Sequence, residues 1–279
     1  MRANEAGMTA PSEPMLRRTL EHLRLWLAAL VRPRKVRTSR LRAQAGRIAI
    51  GTLIVLALVL VTMWLIDGPV HAGTKHLPTI VVDIFNELTD FGRAGWFLIP
   101  LAALILGAAA VSSPALGRMS QLVLASLVVR FGYVFVAIAL PGLIVTVGKR
   151  LIGRVRPSEL GQFAYFPWSW QPSYASLPSG HATTAVAAAV AISVVWPRAR
   201  IPMGIFAIII VLSRVVISAH YPSDVLAGAV VGGISALLVR DWFAARRLGF
   251  VIGPEGAVSA LPGPSLRRVK AVARRLFGQ

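Results

Sequence analysis

The chain has 279 residues; 56% are hydrophobic and only 15% are charged, and its mean hydropathy is +0.67. That balance excludes an ordinary soluble domain and points to the membrane. The absence of cysteine excludes thiolate nucleophiles, iron–sulfur ligation and disulfides.

The net charge of +19 gathers at the two ends, which argues against a nucleic-acid partner and for anionic lipid surfaces. Residues 1–47 hold 11 Lys or Arg against 3 acidic residues and read as a basic cytoplasmic region. Within it, residues 16–30 (LRRTLEHLRLWLAAL) put leucines on one stripe with arginines opposite. This is either an amphipathic interfacial helix or a basic tail without structure.

Residues 48–240 are expected to form an all-α bundle of six membrane-spanning helices. The segments are 48–66, about 96–111, a stretch within 122–147, about 182–196, 201–217 and about 225–239. The first is too long and too far from the start for a signal peptide, and no cleavage site follows it. Several are shorter than the ~20 residues that cross a bilayer, so flanking residues must extend them. Residues 79–90 read as a short helix on the outer face. Arg130 falls inside the third segment; the span starts there, or the side chain snorkels, or it points into the bundle. Residues 251–265, rich in Gly and Pro, read as a linker within the basic region 241–279. Residues 266–277 (LRRVKAVARRLF) pose the same choice as 16–30. Six spans put both termini on one side, and the positive-inside rule makes that side cytoplasmic.

Three polar stretches then reach one face. Lys149 to Pro157 (KRLIGRVRP) carries four cations, suited to headgroup contact or to a phosphoryl group. Pro178 to His181 (PSGH) opens the fourth span, where Ser179 can cap the helix and the Gly180 N–H can face an anion. Ser213 to Asp224 (SRVVISAHYPSD) places Arg214 near the end of an apolar helix and sets His220 four residues before Asp224, on one face if the segment is helical. Two histidines and an aspartate can ligate zinc, but so many cations oppose a divalent metal and favour an oxyanion; no metal or cofactor is expected.

The chemistry that fits is phosphoryl transfer in two steps. His220 attacks phosphorus with Asp224 orienting its ring, and His181 acts as acid and then as base. Lys149, Arg156, Arg214, Ser179 and Gly180 hold the phosphoryl oxygens. A phosphotransferase using an acceptor lipid, and a non-enzymatic transporter or scaffold, are the competing readings. Residues 163–174 (FAYFPWSWQPSY) are aromatic, and Trp168 and Trp170 either touch the lipid or simply anchor the interface.

Lys149 followed by Arg156-Pro157, the Pro178–His181 tetrapeptide, and Ser213-Arg214 with His220 and Asp224 together resemble the phosphatidic acid phosphatase type 2 superfamily. The resemblance covers roughly 50–240. It implies the bundle shared with vanadium haloperoxidases, a metal-free phosphohistidine mechanism, and a periplasmic site in a bacterial inner membrane. The substrates it implies are phosphatidic acid, phosphatidylglycerol phosphate, undecaprenyl pyrophosphate or a lipid A phosphate.

Overall fold

The computed structural model describes residues 15–33, 41–113, 116–159, 163–254 and 256–278. The remainder of the basic N-terminal region, residues 1–14 and 34–40, lies outside the described residues. The helices are α1 (Met15–Val31), α2 (Leu41–Leu65), α3 (Asp67–Thr74), α4 (Thr79–Thr89), α5 (Gly95–Val111) and α6 (Arg118–Ile152). They continue as α7 (Gly180–Val195), α8 (Arg200–Val216), α9 (Pro222–Ala245) and α10 (Leu266–Phe277).

Among the described residues, four helical runs are long and apolar enough to cross a membrane: 79–111, Arg118–Ile152, 197–216 and Pro222–Ala245. Helix α2 with α3, bent by 50° between them, makes a fifth. The expected outer-face helix 79–90 is therefore the first part of a longer helical run that continues into α5. The expected fourth span is α7, whose 16 residues cover only about 24 Å. Six full-length crossings are thus not what the helices give, although the chain is a multi-pass helical bundle.

The short helix α7 sits at the centre, packed by α6, α8 and α9. Its alanines at 182, 185, 187, 188, 189 and 191 are buried and let those three helices close around it. Surrounded by protein, it has no need to match the bilayer at both ends. Opposing it, Gly228 and Gly232 of α9 form a Gly-xxx-Gly face. A Cβ on Gly232 would stand 2.3 Å from the Thr183 carbonyl oxygen, and one on Gly228 2.4 Å from that of Ser179. Only glycine admits so close a crossing.

Helix α6 runs unbroken through Arg130, which is 7% exposed and points into the protein. Its guanidinium donates to the carbonyls of Ser126 (2.8 Å) and Leu261 (2.7 Å). Leu261 follows a hairpin, β1 (Phe250–Ile252) paired antiparallel with β2 (Val258–Ala260), where a linker is expected from sequence. Phe250 packs against Tyr133 in the main core, so this segment belongs to the body of the protein.

Both terminal amphipathic segments are helical and dock at one end of the bundle. On α1, His22 and Arg18 reach the carbonyls of Ala109 and Ala110 at the end of α5. On α10, Val272 is buried against Val123 and Leu124 near the start of α6. The other end of the bundle carries the polar stretches.

Candidate active site

Four chain segments meet where α6 and α8 end and α7 and α9 begin. The segment after α6 turns sharply at Gly153, whose φ is +68°; a Cβ there would strike the Phe166 carbonyl oxygen at 1.9 Å. Past that turn the backbone pairs on both sides, Val155 N–H donating to Ala164 (3.1 Å) and Arg156 N–H to Ser173 (2.9 Å). Residues 154–156 are thereby fixed beneath the polar cluster.

His220 lies in the turn between α8 and α9, and Asp224 is in the first turn of α9. They do not share a helix face, as their spacing suggests; the turn brings them together. His220 is 4% exposed and Asp224 fully buried. The His220 Nδ1 stands 3.8 Å from Asp224 Oδ2, an ion-pair separation longer than a hydrogen bond. The Ser176 hydroxyl sits between them, donating to Asp224 Oδ2 at 2.6 Å and lying 3.4 Å from His220 Nδ1. The Tyr221 N–H also donates to Asp224 Oδ2, at 2.9 Å. With Nδ1 turned to these groups, Nε2 is the ring nitrogen left for chemistry. Burial lowers the His220 pKa from its ordinary value; Asp224 opposes that shift, while Arg214 and Arg156 add to it. Its imidazole is therefore held neutral.

The carboxylate of Asp224 has a further partner that sequence reasoning passed over. Arg154 NH1 donates to Asp224 Oδ1 at 2.6 Å, and its NH2 to Asp67 Oδ2 at 2.8 Å, all three side chains fully buried. Burial works against the Arg154 charge, but Asp224 and Asp67 outweigh it and its pKa is raised. Asp67 lies at the bend between α2 and α3 and accepts from Ser223 as well, at 2.9 Å from N and 2.5 Å from Oγ. In the sequence Arg154 is only one of the four cations of its stretch.

Ser179 precedes α7 without capping it. Its hydroxyl is buried and has no hydrogen-bond partner among the described residues, while its N–H donates to the Asp224 carbonyl at 2.9 Å. Gly180 opens α7 and His181 follows. The His181 ring lies against Gly92 of the α4–α5 junction, where a Cβ would approach it to 3.0 Å. His181 interacts electrostatically with Arg214, His220, Arg93 and Lys149. Arg214 is 7% exposed and donates to Thr89 Oγ1 at 2.8 Å, leaving its Nε unpartnered. Among the described residues it forms no ion pair. Arg156 donates to the Pro172 carbonyl at 3.0 Å, and burial lowers its pKa. Lys149 occupies the last turn of α6, in the field of Arg150, Arg156 and Arg214.

Lys149, Arg156, Ser179, Gly180, His181, Arg214, His220 and Asp224 thus gather at one end of the bundle, and cations beside helix-start N–H groups are chemistry suited to an oxyanion. Trp168 and Trp170 stand apart on the loop, 76% and 81% exposed. Arg150 ties Trp170 down, donating to its carbonyl with the guanidinium 5.9 Å from the ring centre. Among the described residues no three His, Asp or Glu side chains are placed to hold a metal ion.

The family model described as the PAP2 superfamily matches residues 130–248. A lipid A 1-phosphatase of Rhizobium etli is 35% identical over 202 residues, spanning 71% of this chain and 86% of the relative. A second, from Rhizobium johnstonii, is 34% identical over 207 residues, spanning 73% and 84%. Among solved structures, the first transmembrane PAP2 type phosphatidylglycerolphosphate phosphatase from Bacillus subtilis superposes with a TM-score of 0.48 at 19% identity, covering 68% of this chain and 92% of that one. On the extent and identity of the two relatives, the chain belongs to the PAP2 superfamily of membrane lipid phosphatases and is a hydrolase of lipid phosphates.

Proposed function

We propose that the chain removes the 1-phosphate of lipid A through a phosphohistidine on His220. The observation that carries the chemistry is His220 held neutral between buried Asp224 and the cations Arg156 and Arg214. The choice of lipid follows the two relatives, of which the chain spans 86% and 84%.

In the first step His220 Nε2 forms a bond to phosphorus and the bond to the lipid oxygen breaks. His181 gives that oxygen a proton, and Asp224 balances the charge developing on the His220 ring. In the second step water attacks phosphorus, His181 takes its proton, and phosphate leaves as His220 is restored. Lys149, Arg156, Arg214, the Ser179 hydroxyl and the Gly180 N–H hold the equatorial oxygens throughout. No metal or cofactor takes part. Trp168 and Trp170 meet the lipid at the rim.

Helix α7 serves as a sixth crossing, its 16 residues falling short of the bilayer but enclosed by the other helices. Both termini are then cytoplasmic, where residues 1–47 and 241–279 meet anionic lipids, and the site faces the periplasm of a bacterial inner membrane. The test is phosphate release by the purified protein from lipid A 1-phosphate, undecaprenyl pyrophosphate, phosphatidic acid and phosphatidylglycerol phosphate. Lipid A is expected to be the preferred substrate. Preference for another lipid refutes the substrate, and a phosphorylated lipid made from added acceptor replaces hydrolysis by transfer. Acid-labile phosphoenzyme persisting in His220→Ala refutes the nucleophile.

A further inference from the structure

Asp67 and Asp224 share one guanidinium. Arg154 bonds to Asp224 through NH1 and to Asp67 through NH2, and Ser223 closes the ring: its hydroxyl accepts from Arg154 at 2.7 Å and donates to Asp67 at 2.5 Å. Asp67, Arg154, Ser223 and Asp224 all have zero exposure. Both Asp67 oxygens accept hydrogen bonds, as an ionised carboxylate does. The ring joins the bend between α2 and α3, the segment after α6 and the start of α9, so it is built by three distant parts of the chain.

Two carboxylates on one guanidinium leave a net negative charge. An arginine bonded to Asp224 alone would cancel that carboxylate and weaken its hold on the imidazolium of the phosphorylated ring. Asp67 takes up part of the arginine. We propose that Asp67 is a positioning residue of the reaction, acting through Arg154 to preserve the negative charge with which Asp224 orients and activates His220. This rests on His220 as the nucleophile. The groups facing His220 are Asp224 from α9, Arg214 from α8, His181 from α7, and Arg156 from the segment after α6. Of these four only Asp224 is anionic, so none of the others can supply the negative charge that Asp67 adds through Arg154.

The test is the pH dependence of lipid phosphate hydrolysis by the full-length protein in detergent, for wild type, Asp67→Asn, Ser223→Ala and His220→Ala. Asp67→Asn keeps an acceptor for the Ser223 N–H but removes the charge. Its kcat is expected to fall about tenfold with KM unchanged, the factor a lost charge-assisted hydrogen bond carries. Its acid limb moves to lower pH, because a ring with less negative charge beside it gives up its proton more readily. Wild-type kcat, or a loss with the acid limb unmoved, overturns the proposal. Should Asp67→Asn fail to fold, Ser223→Ala decides: it removes the hydroxyl that holds Asp67 against Arg154, and is expected to lower kcat with KM unchanged and to move the acid limb the same way by a smaller amount. Wild-type kcat in Ser223→Ala overturns the coupling. Full activity in His220→Ala overturns the nucleophile instead, and this coupling with it.

Discussion

At the level of single residues, His220 and Ser179 make opposite demands on the fold. His220 is buried against its own tendency to charge, and its lowered pKa has a sign that can be checked twice. In the folded protein the ring stays neutral below the ordinary imidazole value of about 6.5. The acid limb of activity is therefore expected below that value. The unfolded chain binds the proton more readily, so folding stability from this group is intact above about 6.5 and is lost as pH falls through that value toward the lower folded one. Thermal melts of wild type and His220→Ala across this range measure it: the mutant loses that part of the acid sensitivity. Ser179 carries no such balance. Its hydroxyl is buried without a partner, so Ser179→Ala costs the fold nothing it now uses. The expected result is an unchanged melting temperature with kcat/KM down about tenfold, the low end of what one hydrogen bond to a charged phosphoryl oxygen is worth.

At the level of elements, the decisive contact is the crossing of α7 and α9. Gly232 allows the α9 backbone to lie on Thr183, and Gly228 allows it to lie on Ser179, the residue that opens the site. Gly232→Ala is expected to push α7 away, lower the melting temperature and reduce activity at least as much as Ser179→Ala. A melting temperature unchanged by Gly232→Ala would show that the crossing is looser than the structure has it. The motif residues on these helices were legible because each sits at the end of an apolar run, where a polar side chain stands out. Other parts of the site were hidden by distance along the chain. Asp67 meets Arg154 across 87 residues, and a single sequence carries no sign of such a pairing. Ser176 and Ser223 look like any loop serine. Gly228 and Gly232 did leave a signal, their four-residue spacing in an apolar helix, which marks close helix contact. The hairpin after α9 was masked by Gly253 and Pro254, which read as a linker although they turn the chain between two strands. The alanine-rich α7 looked like any other span, because hydropathy does not register whether a helix meets lipid or protein.

Taken whole, the molecule is divided along its axis. One end holds the cluster of Lys149, Arg156, Arg214, His181 and His220, and the other holds the two basic amphipathic helices α1 and α10. Cations gather at both ends for different reasons: at α10 they lie on exposed positions, while Arg154 and Arg214 are buried within the bundle. A count of positive charge alone therefore understates the asymmetry, and the exposed basic end is the one suited to an anionic lipid surface. The orientation can be read directly, since a chain with no cysteine gives no background to thiol labelling. Ser158 on the site end and Ala273 on α10 are both exposed, so a cysteine at either is accessible from its own side. In intact inner-membrane spheroplasts, a membrane-impermeant maleimide is expected to label Ser158→Cys at once and Ala273→Cys only after lysis. The reverse pattern would place the site in the cytoplasm, and labelling of both before lysis would put the two ends on the same side of the membrane.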